Sequence, residues 1–182
     1  MSNDDYDVDP IWGRDPDKKR KNSGRKGKRG ESGLCKILTE RFGMPFSRVP
    51  QSGAIGSTRE MSEHVREAYV GDIVTPQHFR FCIEVKHGYT EIDLHHVIGH
   101  RGNKLLDGFL AQAARDADRI GRDPLLCWKK DRLPWLAFMK PSFTYQGNLH
   151  FESPVGLRYK DWEAFDLKSI LVIDEAFWFR RT

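Results

Sequence analysis

A chain of 182 residues, 38% of them hydrophobic and 12% aromatic, holds enough apolar material for one core domain plus whatever its termini add. No stretch approaches a membrane span, and the first residues are acidic and polar, which excludes an apolar secretory leader there. The formal charge of +4 is uneven: residues 1–29 hold 9 Lys/Arg against 6 Asp/Glu (net +3), and residues 30–182 hold 21 against 20 (net +1).

Residues 1–28 read as a flexible basic leader. Eight of the twelve residues from Lys18 to Arg29 are Lys or Arg, a run that cannot bury itself and suits either a solubilising tail or an arm on nucleic-acid phosphates. From Glu31 to Phe42 the apolar residues Leu34, Ile37, Leu38 and Phe42 follow a helical spacing, and Gly43 with Pro45 ends the run. Phe46 to Val49 reads as extended, a loop follows through Pro50, Gly53 and Gly56, and residues 58–69 are polar with a weak helical pattern. Gly71 to Val74 suggests a short strand. Phe79 to Val85 is the clearest strand, with Phe81, Ile83 and Val85 on one face and Cys82, Glu84 and Lys86 on the other. A polar loop spans 87–103, and a helix from Asn103 to Ile120 ends at Gly121. Leu125 to Trp128 and Trp135 to Met139 read as strands, and Ile170 to Ile173 as a further one. The order predicts an α/β domain, a mixed β-sheet flanked by helices. Its core spans residues 29–140, and an extension, 141–182, packs on that core. Cys35, Cys82 and Cys127 form neither a disulfide framework nor a paired zinc site, so reduced thiols and a cytoplasmic location are expected.

Glu84 and Lys86, two apart on a strand, point to the same side, and Asp72 lies twelve residues earlier, within reach of a hairpin. Two converging carboxylates suit a hard divalent cation such as Mg²⁺, and a neighbouring ammonium suits phosphodiester hydrolysis. Glu31 is in phase with Leu34, Leu38 and Phe42, so it turns inward and needs a partner there; a metal or a metal-bound water would serve. An E-x-K pair alone is more often a surface ion pair. Here it follows a run, Phe79 to Ile83, with the character of a central strand, where unpartnered charge is costly.

Gly30-Glu31 on a first helix, Gly71-Asp72 and Glu84-Val85-Lys86 together resemble the PD-(D/E)xK nuclease superfamily, with its restriction-endonuclease-like fold. The first helix, the Arg48 to Ser52 segment and the E-x-K element are most similar to the archaeal-type and phage Holliday junction resolvases. The likeness covers residues 28 to about 139. It implies that Asp72, Glu84 and the Val85 carbonyl bind metal, that Glu31 does so directly or through water, and that Lys86 assists the nucleophilic water. Gln112 is similar in position to a glutamine that several such families place near the site. Gly71 stands where proline is frequent, residues Thr58 to Tyr69 form a charged insertion, and the segment after 140 has no counterpart in the family pattern. The expectation is a Mg²⁺-dependent endodeoxyribonuclease, with Mn²⁺ as a substitute and no organic cofactor. It would act on Holliday junctions or other branched DNA as a homodimer, with Lys26, Lys28, Arg29, Arg48, Ser52 and Gln112 on the DNA. A restriction-like, nicking or repair nuclease on linear or single-stranded DNA is the alternative, followed by a DNA-binding protein without activity.

The histidines His95, His96 and His100 resemble only the start of an HNH motif and lack its downstream ligand; a polar loop is the simpler reading. Trp128, Trp135, Trp162 and Trp178 are expected in the core or a dimer interface rather than as stacking platforms.

Overall fold

The computed structural model describes residues 16–50, 69–93, 95, 102–141 and 156–180, with side chains from residue 24 onward. Helix α1 runs Pro16–Phe42. It starts well before Glu31, so residues 16–28 of the expected flexible leader are helical. Lys and Arg are good helix formers, and proline is at ease in a first turn. Leu34, Cys35, Leu38 and Phe42 form its buried stripe, and the helix ends at Gly43, whose φ of +64° few other residues tolerate.

Strands β1 (Ser47–Arg48) and β2 (Ile73–Val74) make a small antiparallel pair. The main sheet contains β3 (Phe81–His87), β4 (Asp123–Lys129), β5 (Leu136–Met139), β6 (Leu157–Tyr159) and β7 (Trp162–Asp166), in the order β3-β4-β5-β7-β6. The β3 and β4 strands are parallel, as a helical crossover between them requires; the remaining pairs are antiparallel. That crossover is α2 (Lys104–Arg119), capped by the Asn103 side chain, which accepts from the Leu105 and Leu106 amides. The result is a mixed sheet with helices on both faces, the α/β architecture expected.

Each face has its own core. Phe81, Ile83 and Val85 meet α1 on one side, joined by Trp135, Phe177 and Trp178. Leu126, Trp128, Phe138 and Trp162 meet Leu106, Leu110 and Ala113 of α2 on the other. All four tryptophans noted above are buried. Among the described residues no helix is long and apolar enough to cross a membrane.

The C-terminal segment is not an addition to a finished core. Strand β7 pairs with β5 along Leu136–Met139, and the short helices α3 (Leu167–Leu171) and α4 (Glu175–Trp178) close the α1 face. The strand expected at Ile170–Ile173 is therefore α3, because Leu167, Ile170 and Leu171 fall three and four apart and bury together. Trp178 is fully buried, stacked on Phe79 (6.1 Å between centroids) and tilted against Phe42 (5.6 Å). Trp178→Ala should cost about 3–5 kcal/mol, read as a fall in the denaturant midpoint with little change in slope. A loss within error would mean that the C-terminal segment does not carry the core.

Candidate active site

Strand β3 lies at one edge of the sheet, and the Gly71-Asp72 turn runs along that open edge. Gly71 sits at φ +82°, and a Cβ there would come within 2.8 Å of the Ile83 carbonyl oxygen. Only glycine allows the turn to approach so closely. The Asp72 amide then donates to the Ile83 carbonyl (2.9 Å), and the Val85 amide donates to Asp72 Oδ2 (2.7 Å). In a strand the N–H and C=O of one residue point the same way. The Val85 carbonyl therefore also faces the open edge, beside the Asp72 carboxylate.

Glu84 and Lys86 extend from the α2 face of β3. Glu84 is only 2% exposed. Lys86 Nζ donates to Glu84 Oε1 and, at 3.3 Å, to Gln112 Oε1 of α2, and it lies 5.0 Å from the Phe109 ring centroid. Burial first, and then the Asp72 charge, push the Glu84 carboxyl up to about 7, against the pull of Lys86. Burial likewise raises Asp72, in opposition to the Val85 amide and Lys86. Burial alone would lower Lys86, but Glu84 and Asp72 outweigh it and hold the ammonium above its ordinary value. Two carboxylates thus share one cation in a poorly solvated place, leaving a net deficit of one positive charge.

Glu31 is also buried, at 8% exposure, and its partner is an arginine: Arg48 Nε donates to Glu31 Oε2 at 2.7 Å. The metal partner expected for it is not needed to explain its burial, although its charge still reaches Asp72. The helix comes this close because Gly30 has no Cβ; one would stand 2.7 Å from His87 Cβ. Among the described residues no three His, Cys, Asp or Glu side chains gather as a metal-holding cluster. The oxygen donors near this edge are the Asp72 and Glu84 carboxylates and the Val85 carbonyl. That hard set fits a small divalent cation that keeps several waters, and such a cation would balance the charge deficit.

Of the other residues singled out above, Lys28 and Arg29 are exposed on α1, whereas Lys26 is paired with Asp131 (2.9 Å). Gln112 meets Lys86 and belongs to the site itself. Ser52, His96 and His100 lie outside the described residues; His95 is exposed. Sequence reasoning missed Phe109, which precedes Gln112 by three and so shares its helix face. It also missed the β4–β5 turn, where Lys129, Lys130 and Arg132 stand next to α1. There Asp131 binds both Lys26 and His87 Nε2 (3.1 Å) and ties the turn to the helix. The run Lys129-Lys130-Asp131-Arg132 was the available signal.

Comparison with known proteins agrees with this geometry. A family model described as "Phage putative PDDEXK endonuclease" matches residues 22–167. Protein D14 of Escherichia phage T5 is 32% identical over 145 residues, which cover 78% of this chain and 85% of that protein. A solved structure of Archaeoglobus fulgidus Hjc, a Holliday junction resolvase from an archaeal hyperthermophile, aligns over 82% of this chain and 90% of that one. Its identity is 15% and its TM-score 0.37. The family match takes in α1 from residue 22, the Gly71-Asp72 turn, β3 and the sheet through β7. The chain belongs to the PDDEXK endonuclease family of phages.

Proposed function

We propose that this endonuclease is a Mg²⁺-dependent endodeoxyribonuclease, able to use Mn²⁺, that hydrolyses phosphodiester bonds in branched DNA such as four-way junctions. The buried Asp72–Glu84 pair, with Lys86 beside it and the Val85 carbonyl at the same edge, is the observation that carries the reading. Asp72, Glu84 and the Val85 carbonyl would hold the cation, which would supply Lewis-acid polarisation of the phosphate and a more acidic water. Lys86 stays an ammonium, fixed by Glu84, Gln112 and the Phe109 ring, and it steadies the attacking water and the charge that grows on phosphorus. Glu31 works at one remove, orienting Arg48 toward the DNA backbone.

Lys28 and Arg29 of α1, with Lys129, Lys130 and Arg132 of the neighbouring turn, form the cationic track for phosphates. The preference for branched DNA is supported by the resemblance of the first-helix acid and the Arg48 segment to those of junction resolvases. A junction offers two strands for symmetric cutting, which suits a two-fold homodimer. Three buried, unpaired thiols suit work in a reducing, intracellular compartment.

Asp72→Asn and Lys86→Ala should each lower cleavage by about 100-fold or more while leaving DNA binding within a few-fold of wild type. Full cleavage by either protein would refute the assignment. A panel of four-way junction, flap, linear duplex and single strand, run with Mg²⁺ and with EDTA, tests the substrate. Equal rates on junction and matched duplex would point instead to a restriction-like or repair nuclease.

Glu84 also predicts a pH signature. Its folded pKa lies above its ordinary value, so the stability it contributes is full below about pH 4.5 and is lost as pH rises through about 7. In EDTA the melting temperature should therefore fall between pH 5 and 8, and Glu84→Gln should remove part of that fall. Mg²⁺ should raise the melting temperature more at pH 8 than at pH 5 in the wild type and little in the variant. The opposite order would contradict the site. In the Asp72→Asn background, replacing Lys28 and Arg29 by alanine should reduce the slope of log affinity against log salt by about 1–2. An unchanged slope would remove α1 from the track.

A further inference from the structure

Beside the site, on the α2 face of the sheet, lies a cavity of about 330 Å³ that the catalytic reading does not use. Trp128, Leu133, Pro134 and Leu136 make its walls, and His95, Lys129 and Lys130 complete its lining. The Trp128 indole donates to the Gly88 carbonyl (3.2 Å), which fixes the ring in place. Lys130 Nζ stands 5.8 Å from the Trp128 ring centroid and Lys129 Nζ 5.5 Å from that of Trp135. Neither ammonium has an acidic partner among the described residues. Leu133, at 53% exposure, is one of the few large apolar side chains left in water among the described residues.

Trp128 is the register partner of Lys86 across the parallel β3–β4 pair, so both side chains leave the same face of the sheet. Adjacent strands lie about 4.8 Å apart, so Trp128, one wall of the cavity, stands on the strand next to the one that carries Lys86.

We infer that this cavity receives a nucleobase swung out of the stack of the strand being cut, with Lys130 on its flanking phosphate. The inference rests on the DNA-cleaving reading above and adds a specificity pocket to it. The chemistry is that of an unstacked nucleotide: a flat apolar body that packs on aromatic and aliphatic surface, joined to anions that seek cations. An apolar peptide would match the walls but leave the Lys130 ammonium without counter-charge.

Removing a base from a matched duplex costs a few kcal/mol, and much less where the base is already unpaired. The pocket therefore selects DNA with an unpaired or strained nucleotide at the point of cutting.

The test uses the full chain carrying Asp72→Asn, in Mg²⁺, with two DNA probes: a matched duplex, and the same duplex with one bulged 2-aminopurine. Affinity is read by anisotropy and base burial by 2-aminopurine emission. The bulged probe should bind about tenfold more tightly, and its emission should change on binding. Two further variants act at an exposed position that the fold does not need. Leu133→Trp fills the cavity and Leu133→Gln makes its wall polar. Each should abolish both the preference and the emission change, with matched-duplex affinity retained. Equal affinity for the two probes, or a preference that survives both Leu133 variants, overturns the pocket and leaves the nuclease reading intact. Failure of the Asp72→Asn chain to bind either DNA overturns both.

Discussion

Two carboxylates, Asp72 and Glu84, are held together in a poorly solvated place with one ammonium to balance them. Such an arrangement costs stability, because each charge resists burial and repels its neighbour. It persists because the backbone leaves it little choice. The Asp72 side chain is tied to the Val85 amide, its own amide to Ile83, and its carbonyl to the Val49 amide at 3.0 Å. Glu84 is carried by a strand whose neighbours are buried on both faces. The charge deficit that remains makes the place receptive to a divalent cation.

The rest of the fold can be understood as what keeps this edge rigid. On the α1 face, Phe42, Phe46, Phe79, Phe81, Phe177 and Trp178 form a packed aromatic cluster directly behind β3. On the α2 face, Phe109 and Gln112 grip Lys86 while Leu106, Leu110 and Ala113 anchor the helix. The ion pair Arg80–Asp123 joins the start of β3 to that of β4. The network of Lys26, Asp131 and His87 joins α1 to the β4–β5 turn, so that helix cations and turn cations border the same end of the sheet.

Much of this was legible in the chain because it follows from local periodicity. Alternation through Phe81–Lys86 placed Glu84 and Lys86 on one face and the core residues on the other, and both sides hold. The spacing of Leu34, Leu38 and Phe42 placed Glu31 inward, and Asn103 and Gly121 marked the ends of α2. The weaker readings were those without a period. A basic run with no apolar stripe suggested a flexible leader, yet Lys and Arg favour helix, and 16–28 continues α1. The apolar stretch near Ile170 was too short to separate strand from helix by pattern alone.

By itself, then, the sequence determined the α/β class, the two-faced β3 strand, the inward turn of Glu31 and the placing of Glu84 beside Lys86. Those are consequences of residue type and spacing along one element. Only the tertiary structure decided who meets whom across elements: that Arg48 pairs with Glu31, that Gln112 and Phe109 hold Lys86, and that 156–180 completes the sheet. It alone set the cavity beside Trp128 next to Lys86. Strand order and helix crossing depend on contacts far apart in the chain, and no local period encodes them.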